Sequence, residues 1–147
     1  MIIIGYQGIG KSSCAGKENG CIDLESGNFW VDGKRSDDWY IPYTQIANHL
    51  SQQGFIVFTS SHEVVRNELL KSKEKVYIIH PAIELKDKWI ERLEERYART
   101  QSEKDYKALM NAKDRFIPNI IELKMCKIPD IEIRDINYNL MDIIKSI

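Results

Sequence analysis

Gly5, Gly8, Gly10, Lys11 and Ser12 follow directly on three isoleucines in MIIIGYQGIGKSS, with the spacing G-x-x-x-x-G-K-S. Glycines allow backbone dihedrals that turn successive N–H groups toward one point, and a multi-oxygen anion suits such a cradle. Lys11 adds a cation for β- and γ-phosphates, and Ser12 adds a hydroxyl for Mg²⁺. The pattern should arise by accident in a chain this long well under about once in a hundred. A phosphate-binding loop is therefore expected, with Gly5, Gly8, Ile9, Gly10, Lys11, Ser12 and Ser13 at the ligand. Asp23 ends the apolar run Cys21-Ile22 and can contact a Mg²⁺ shell, hold an acceptor or take a proton. Arg92, Arg96 and Arg99 recur at spacings of four and three, so a helix aligns their guanidinium groups along one side. Lys104, Lys107, Lys113 and Arg115 follow in the next segment as further cations.

These residues need elements to position them. Ile2–Ile4 reads as a buried strand that delivers the chain to the loop, and a helix whose N-terminal partial charge favours anions begins behind it. Cys21–Leu24 reads as a short strand, and Asp32-Gly33 predicts a tight hairpin turn in an insertion at about residues 26–43. A helix is expected at about 44–53, then the apolar strand Phe55–Phe58, a helix at about 63–71 and the strand Val76–Ile79. Leu85, Trp89, Leu93 and Tyr97 mark one face of an amphipathic helix. A polar break is expected at residues 100–105, then a helix from about Tyr106 made irregular by Pro118, a strand at Asp130–Ile133 and a short terminal helix. Strands alternating with helices imply a mostly parallel sheet covered on both faces, with ligand beyond the strands' C-terminal ends.

The 147 residues suit one domain and carry a formal charge of −1. That near-neutrality argues against a wholly basic face for nucleic acid or anionic membrane, so nucleic acid is a possible partner that charge does not indicate. Residues 1–70 hold five Lys+Arg against eight Asp+Glu, whereas residues 71–147 hold sixteen against fourteen, so anion-clamping cations lie mostly in the second half. Three widely spaced cysteines, Cys14, Cys21 and Cys126, favour reduced thiols in a cytoplasmic protein, and no stretch has the length of a membrane span. Oligomeric state is not legible.

The loop GYQGIGKSS, the acid-ended strand CIDLES with NF after it, the turn FTSSHEVVRNEL and the helix WIERLEERYAR together resemble the small P-loop kinases of the adenylate-kinase-like group. Among these, the compact nucleotide-kinase-like proteins of phages are the nearest form. The resemblance implies a three-layer P-loop sandwich with about five mostly parallel strands, a small hairpin insertion, and a helical lid at about 97–107 that brings Arg92, Arg96 and Arg99 onto the transferring phosphates. It implies transfer of the γ-phosphoryl of ATP, with Mg²⁺ near Ser12 and Asp23, to a nucleotide. The acceptor side would involve Asp23, the insertion aromatics Trp39 and Tyr43, the corner residue His62, and Arg66 one helical turn on.

Two other functions fit the same residues. A hydroxyl acceptor on a nucleoside, a modified DNA base or another small alcohol would call for Asp23 as base, and a regulator would bind nucleotide without an acceptor. No Asn-Lys-x-Asp or Thr-Lys-x-Asp segment for reading guanine follows, and no strand ends in tandem Asp-Glu, which argues against GTPase switches and mechanical ATPases.

Overall fold

Strand β1 (Ile2–Gly5) is buried along its whole length, as three consecutive isoleucines require of a strand covered on both faces. In the computed structural model, which describes all residues Met1–Ile147, it forms the middle of a five-stranded, all-parallel sheet of order β2-β3-β1-β4-β5. The neighbours are β2 (Cys21–Asp23), β3 (Ile56–Thr59), β4 (Val76–Pro81) and β5 (Asp130–Ile133). Ile2 is opposite both Val57 and Val76, so the C-terminal ends of β1, β3 and β4 come out together.

Strand order dictates where the helices go. The connection from β1 to β2 runs one way across the sheet and those from β2 to β3, β3 to β4 and β4 to β5 run the other. Right-handed crossovers therefore put α1 (Lys11–Lys17) on one face and α2 (Tyr40–Gln52), α3 (Glu63–Leu69), α4 (Lys86–Thr100) and α5 (Glu103–Lys124) on the other. The terminal helix α6 (Leu140–Lys145) packs against the edge strand β2, with Met141 Sδ at 3.8 Å from Cys21 Sγ. The reversal falls between β1 and β3, where a parallel sheet opens a crevice at its C-terminal edge. No helix is long and apolar enough to cross a membrane.

Several boundaries differ from expectation for local reasons. The expected hairpin shrinks to one antiparallel bridge, Val31 with Lys34, around Asp32 (φ 51°) and Gly33 (φ 76°), and residues 26–29 form a 3₁₀ turn instead of a strand. Helix α2 begins at Tyr40, because Pro42 lies in its first turn where a missing N–H costs nothing. The break expected over residues 100–105 is only Gln101-Ser102. Gln101 takes a left-handed conformation (φ 53°), Ser102 caps α5 by accepting from Asp105 N at 3.1 Å, and α5 starts at Glu103. Residues 97–107 are thus the tip of a close helical hairpin. Helix α5 is kinked at Arg115 (φ −139°, ψ 23°), three residues before Pro118, whose ring displaces the preceding turn.

Candidate functional site

The glycine-rich turn from Gly5 to Gly10 closes over the end of β1. Gly8 (φ +86°) and Gly10 (φ +104°) occupy conformations that side chains strain to adopt, and a Cβ at Gly5 would stand 2.5 Å from Ile9 Cδ1 and 2.8 Å from Lys11 Cδ. The Lys11 ammonium folds back onto Gly5 O at 3.2 Å, across the mouth of the turn. Burial holds its pKa below the ordinary lysine value; the Asp23 charge opposes that shift, and Lys104 adds to it. Ser12 Oγ donates to Asp23 Oδ2 at 2.7 Å, which ties α1 to the end of β2. Burial raises the Asp23 pKa, against the Ser12 hydrogen bond and the Lys11 charge. Hence Lys11, Ser12 and Asp23 meet at one point, while Ser13 is exposed on α1 and Ile9 is buried, with its carbonyl accepting from Tyr138 Oη at 2.6 Å.

Two clefts flank this turn. One, of about 720 Å³, lies beyond β1 and β3 and reaches from Lys11 and Asp23 to Arg66, Trp30 and α5. The other, of about 750 Å³, lies between α1, α4 and the segment Tyr138–Met141, with Arg92, Arg96 and Arg99 on its wall. Gly8, Gly10, Ser12 and Arg96 line both, so the turn and one arginine form the partition.

The three arginines differ in their commitments. Arg92 is anchored: it donates to Tyr138 Oη at 2.9 Å and Ile136 O at 2.7 Å, and its Cζ lies 4.8 Å from the Trp89 ring centroid. Trp89 in turn stacks on Tyr138 and donates from Nε1 to Gln7 O at 2.9 Å, so Arg92 belongs to a brace that holds the glycine turn from behind. Arg96 is paired through Nε with Asp105 Oδ1 at 3.1 Å. Burial works to raise the Asp105 pKa, but hydrogen bonds from Thr100 and Ser102 with the charges of Arg96 and Lys104 outweigh it and hold the carboxylate ionised. Arg99 is exposed on the second cleft and forms no ion pair. The helical spacing that aligns the three thus leaves them in different surroundings, with Arg92 held by fold contacts, Arg96 lining both clefts and Arg99 the second.

Arg66 is buried and lines the first cleft, donating from Nε to Ser61 O at 3.0 Å and pairing through Nη2 with Glu122. His62 meets Ser60 Oγ through Nδ1 at 2.8 Å and stands edge-on to Trp39; partial desolvation in the cleft first, then Arg35, Lys11 and Arg66, lowers its pKa below the ordinary histidine value. Trp39 and Tyr43 are buried in the core and do not line the cleft, so neither offers a free stacking surface. Tyr43 is 0% exposed, donates to Leu24 O at 2.6 Å and accepts from Ser60 N at 2.9 Å, so it pins the ends of β2 and β3 together. Tyr43→Phe is therefore expected to lower unfolding free energy by about 1–3 kcal/mol, because it leaves buried polar groups unpaired; urea denaturation measures this.

Residues that motif reading passes over complete the cleft. Arg35 lies between two indoles, 3.9 Å from the Trp39 centroid and 4.9 Å from that of the exposed Trp30, at the cleft's edge. Lys104 Nζ reaches Glu25 at 2.7 and 2.9 Å, joining the start of α5 to the segment after β2. Lys107 also lines this cleft, whereas Lys113 and Arg115 do not. Tyr138 carries no sequence signal, since it acts through partners far along the chain, whereas Arg35 acts through the nearby Trp30 and Trp39. No group of three His, Cys, Asp or Glu side chains is placed to hold a metal by itself, and the oxygen pair Ser12–Asp23 suits a hard cation that takes its other ligands from phosphate and water. Compared with known proteins, the chain matches no family model and no curated protein sequence.

Proposed function

We propose that this chain is an ATP-dependent phosphotransferase that moves the γ-phosphoryl of ATP, with Mg²⁺, to the phosphate of a nucleotide. The main support is that Gly8, Gly10, Ser12 and Arg96 form a partition between two clefts of similar size, with Lys11 and Asp23 beside it on the first cleft. A transferase needs that plan: a donor on one side, an acceptor on the other, and the migrating group at the boundary. The second cleft, with Arg99 and the α6 segment, takes the donor's nucleoside end, and the first takes the acceptor.

Lys11 supplies positive charge where the transferring oxygens lie. Burial disfavours its ammonium in the free protein, so a phosphate partner recovers what desolvation costs. Arg96, bonded through Nε alone, keeps its terminal N–H groups for the same oxygens, and Arg66 and Arg35 hold the acceptor's phosphate. Ser12 and Asp23 would hold Mg²⁺, which when bound neutralises charge shared by the β- and γ-phosphates. A phosphate acceptor is already nucleophilic at pH 7, so no general base is required of the chain. The three cysteines are free thiols, which suits a cytoplasmic setting.

Transfer of label from γ-labelled ATP should appear on at least one nucleoside monophosphate in a panel of nucleosides, monophosphates and oligonucleotides. Tight ATP–Mg²⁺ binding with no labelled acceptor would favour a nucleotide-binding regulator instead, and absence of ATP binding would remove both.

A further inference from the structure

Three amides form a connected group on the floor of the acceptor cleft. Gln7 Nε2 donates to Asn111 Oδ1 at 3.1 Å and to Ala108 O at 3.1 Å, and Asn119 Nδ2 donates to the same Asn111 Oδ1 at 2.8 Å. All three line the cleft that also holds Lys11, Asp23 and Arg66. Along a regular helix, residues eight apart are separated by about 12 Å, too far for two asparagines to meet side chain to side chain. The break at Arg115, midway between Asn111 and Asn119, brings them together. Gln7 comes from inside the glycine turn, so the cluster joins the turn to the kinked helix.

The internal bonds consume one polar end of each amide and leave the others. Gln7 Oε1, Asn111 Nδ2 and Asn119 Oδ1 form no hydrogen bond within the protein, so two acceptors and a donor remain on neighbouring planar groups. Such a set does not favour a phosphate, which wants donors and positive charge. It matches the edge of a heteroaromatic base, where N–H donors and ring or carbonyl acceptors alternate, as amide side chains read adenine. The indole of Trp30, 52% exposed on the lining of the same cleft, offers the flat apolar surface that a base also uses.

We infer that the Gln7–Asn111–Asn119 cluster reads the base of the acceptor nucleotide, making these residues the determinants of base preference. This rests on the first cleft being the acceptor site, so the test measures equilibrium binding separately from transfer. The wild-type chain is titrated with the four common nucleoside monophosphates and with ribose 5-phosphate, which carries no base. At least one monophosphate should bind about tenfold or more tighter than ribose 5-phosphate. Asn111→Ala, at an exposed position, should remove that margin, and Asn119→Ala, which removes the free Oδ1 acceptor without adding charge, should reorder the bases. Both should leave ribose 5-phosphate and ATP affinities within about twofold. Equal binding of all five ligands by the wild type, no binding of any, or an unchanged base order in both variants overturns the inference. Base-selective binding without phosphoryl transfer would uphold it and overturn the phosphotransferase proposal; transfer with unaltered base order in the variants would do the reverse.

Discussion

Replacing Lys11 with methionine is expected to reduce phosphoryl transfer about a thousandfold without lowering the stability of the unliganded protein. The rate loss follows from removing a preorganised positive donor at the transferring group, where a single such contact is worth about 10²–10³ in rate. The stability forecast follows from burial. The Lys11 pKa is depressed in the fold, so the folded protein holds that proton less tightly than the unfolded chain does. Its contribution is favourable above the ordinary lysine value and is lost as pH falls through the depressed one, so at neutral pH the charged side chain is a burden on the apo fold. Methionine removes that burden while keeping a stem of similar length. Thermal unfolding should show an unliganded midpoint equal to or above wild type, and a much smaller rise on adding ATP–Mg²⁺. Unchanged turnover, or a less stable apo variant, would contradict the placement of Lys11 as a half-buried, ligand-seeking cation.

The second large effect is expected for Asp23→Asn, a loss of transfer of about a hundredfold together with a raised Mg²⁺ requirement. Asparagine can still accept the Ser12 hydroxyl, so the 2.7 Å link between α1 and β2 survives and the deficit reports on charge. The Asp23 pKa is raised in the fold by burial, so its favourable contribution is complete below the ordinary aspartate value and is lost as pH rises through the folded value. The stability difference between Asp23→Asn and wild type should therefore grow in the variant's favour across that acidic window and then level off. A variant less stable than wild type at pH 7 would mean that the carboxylate is a net stabilising partner of Lys11. The acceptor dependence carries separate information: a loss confined to alcohol acceptors would make Asp23 a general base, for which its raised pKa is suited, and an equal loss for all acceptors assigns it to the metal.

Lys11 and Asp23 were both visible in the sequence because their signals are local. A glycine turn needs glycines at fixed offsets, and a buried parallel strand needs an unbroken apolar run, so Ile2–Ile4, Phe55–Phe58 and Val76–Ile79 announced themselves. The Asp32-Gly33 turn was legible for the same reason, but the strands around it were not, since pairing beyond the single Val31–Lys34 bridge depends on packing that short polar segments do not provide. Pro118 signalled an irregularity, but neither its position at Arg115 nor its consequence, the meeting of Asn111 and Asn119.

The arginines show where local reading ends. Arg92, Arg96 and Arg99 are equivalent by spacing, and only their partners from elsewhere in the chain separate them: Tyr138 and Ile136 immobilise Arg92, Asp105 takes one nitrogen of Arg96, and Arg99 is left on the surface. Trp39 and Tyr43, aromatic and clustered, read equally as ligand platform or as core, and burial places both in the core.

By itself the sequence determined the alternation of strands and helices, hence a parallel sheet, and the glycine turn with Lys11 and Ser12 at the end of its first strand. Those features depend on backbone dihedrals and hydrophobic periodicity, which neighbouring residues specify. The tertiary structure alone decided that the turn separates two clefts, which cation faces both, and which amides line the floor. Much of that depends on side chains brought together over 40 to 130 positions of chain, such as Arg92 with Tyr138, Gln7 with Asn111 and Tyr138 with Ile9, and no local pattern encodes a contact made at that range.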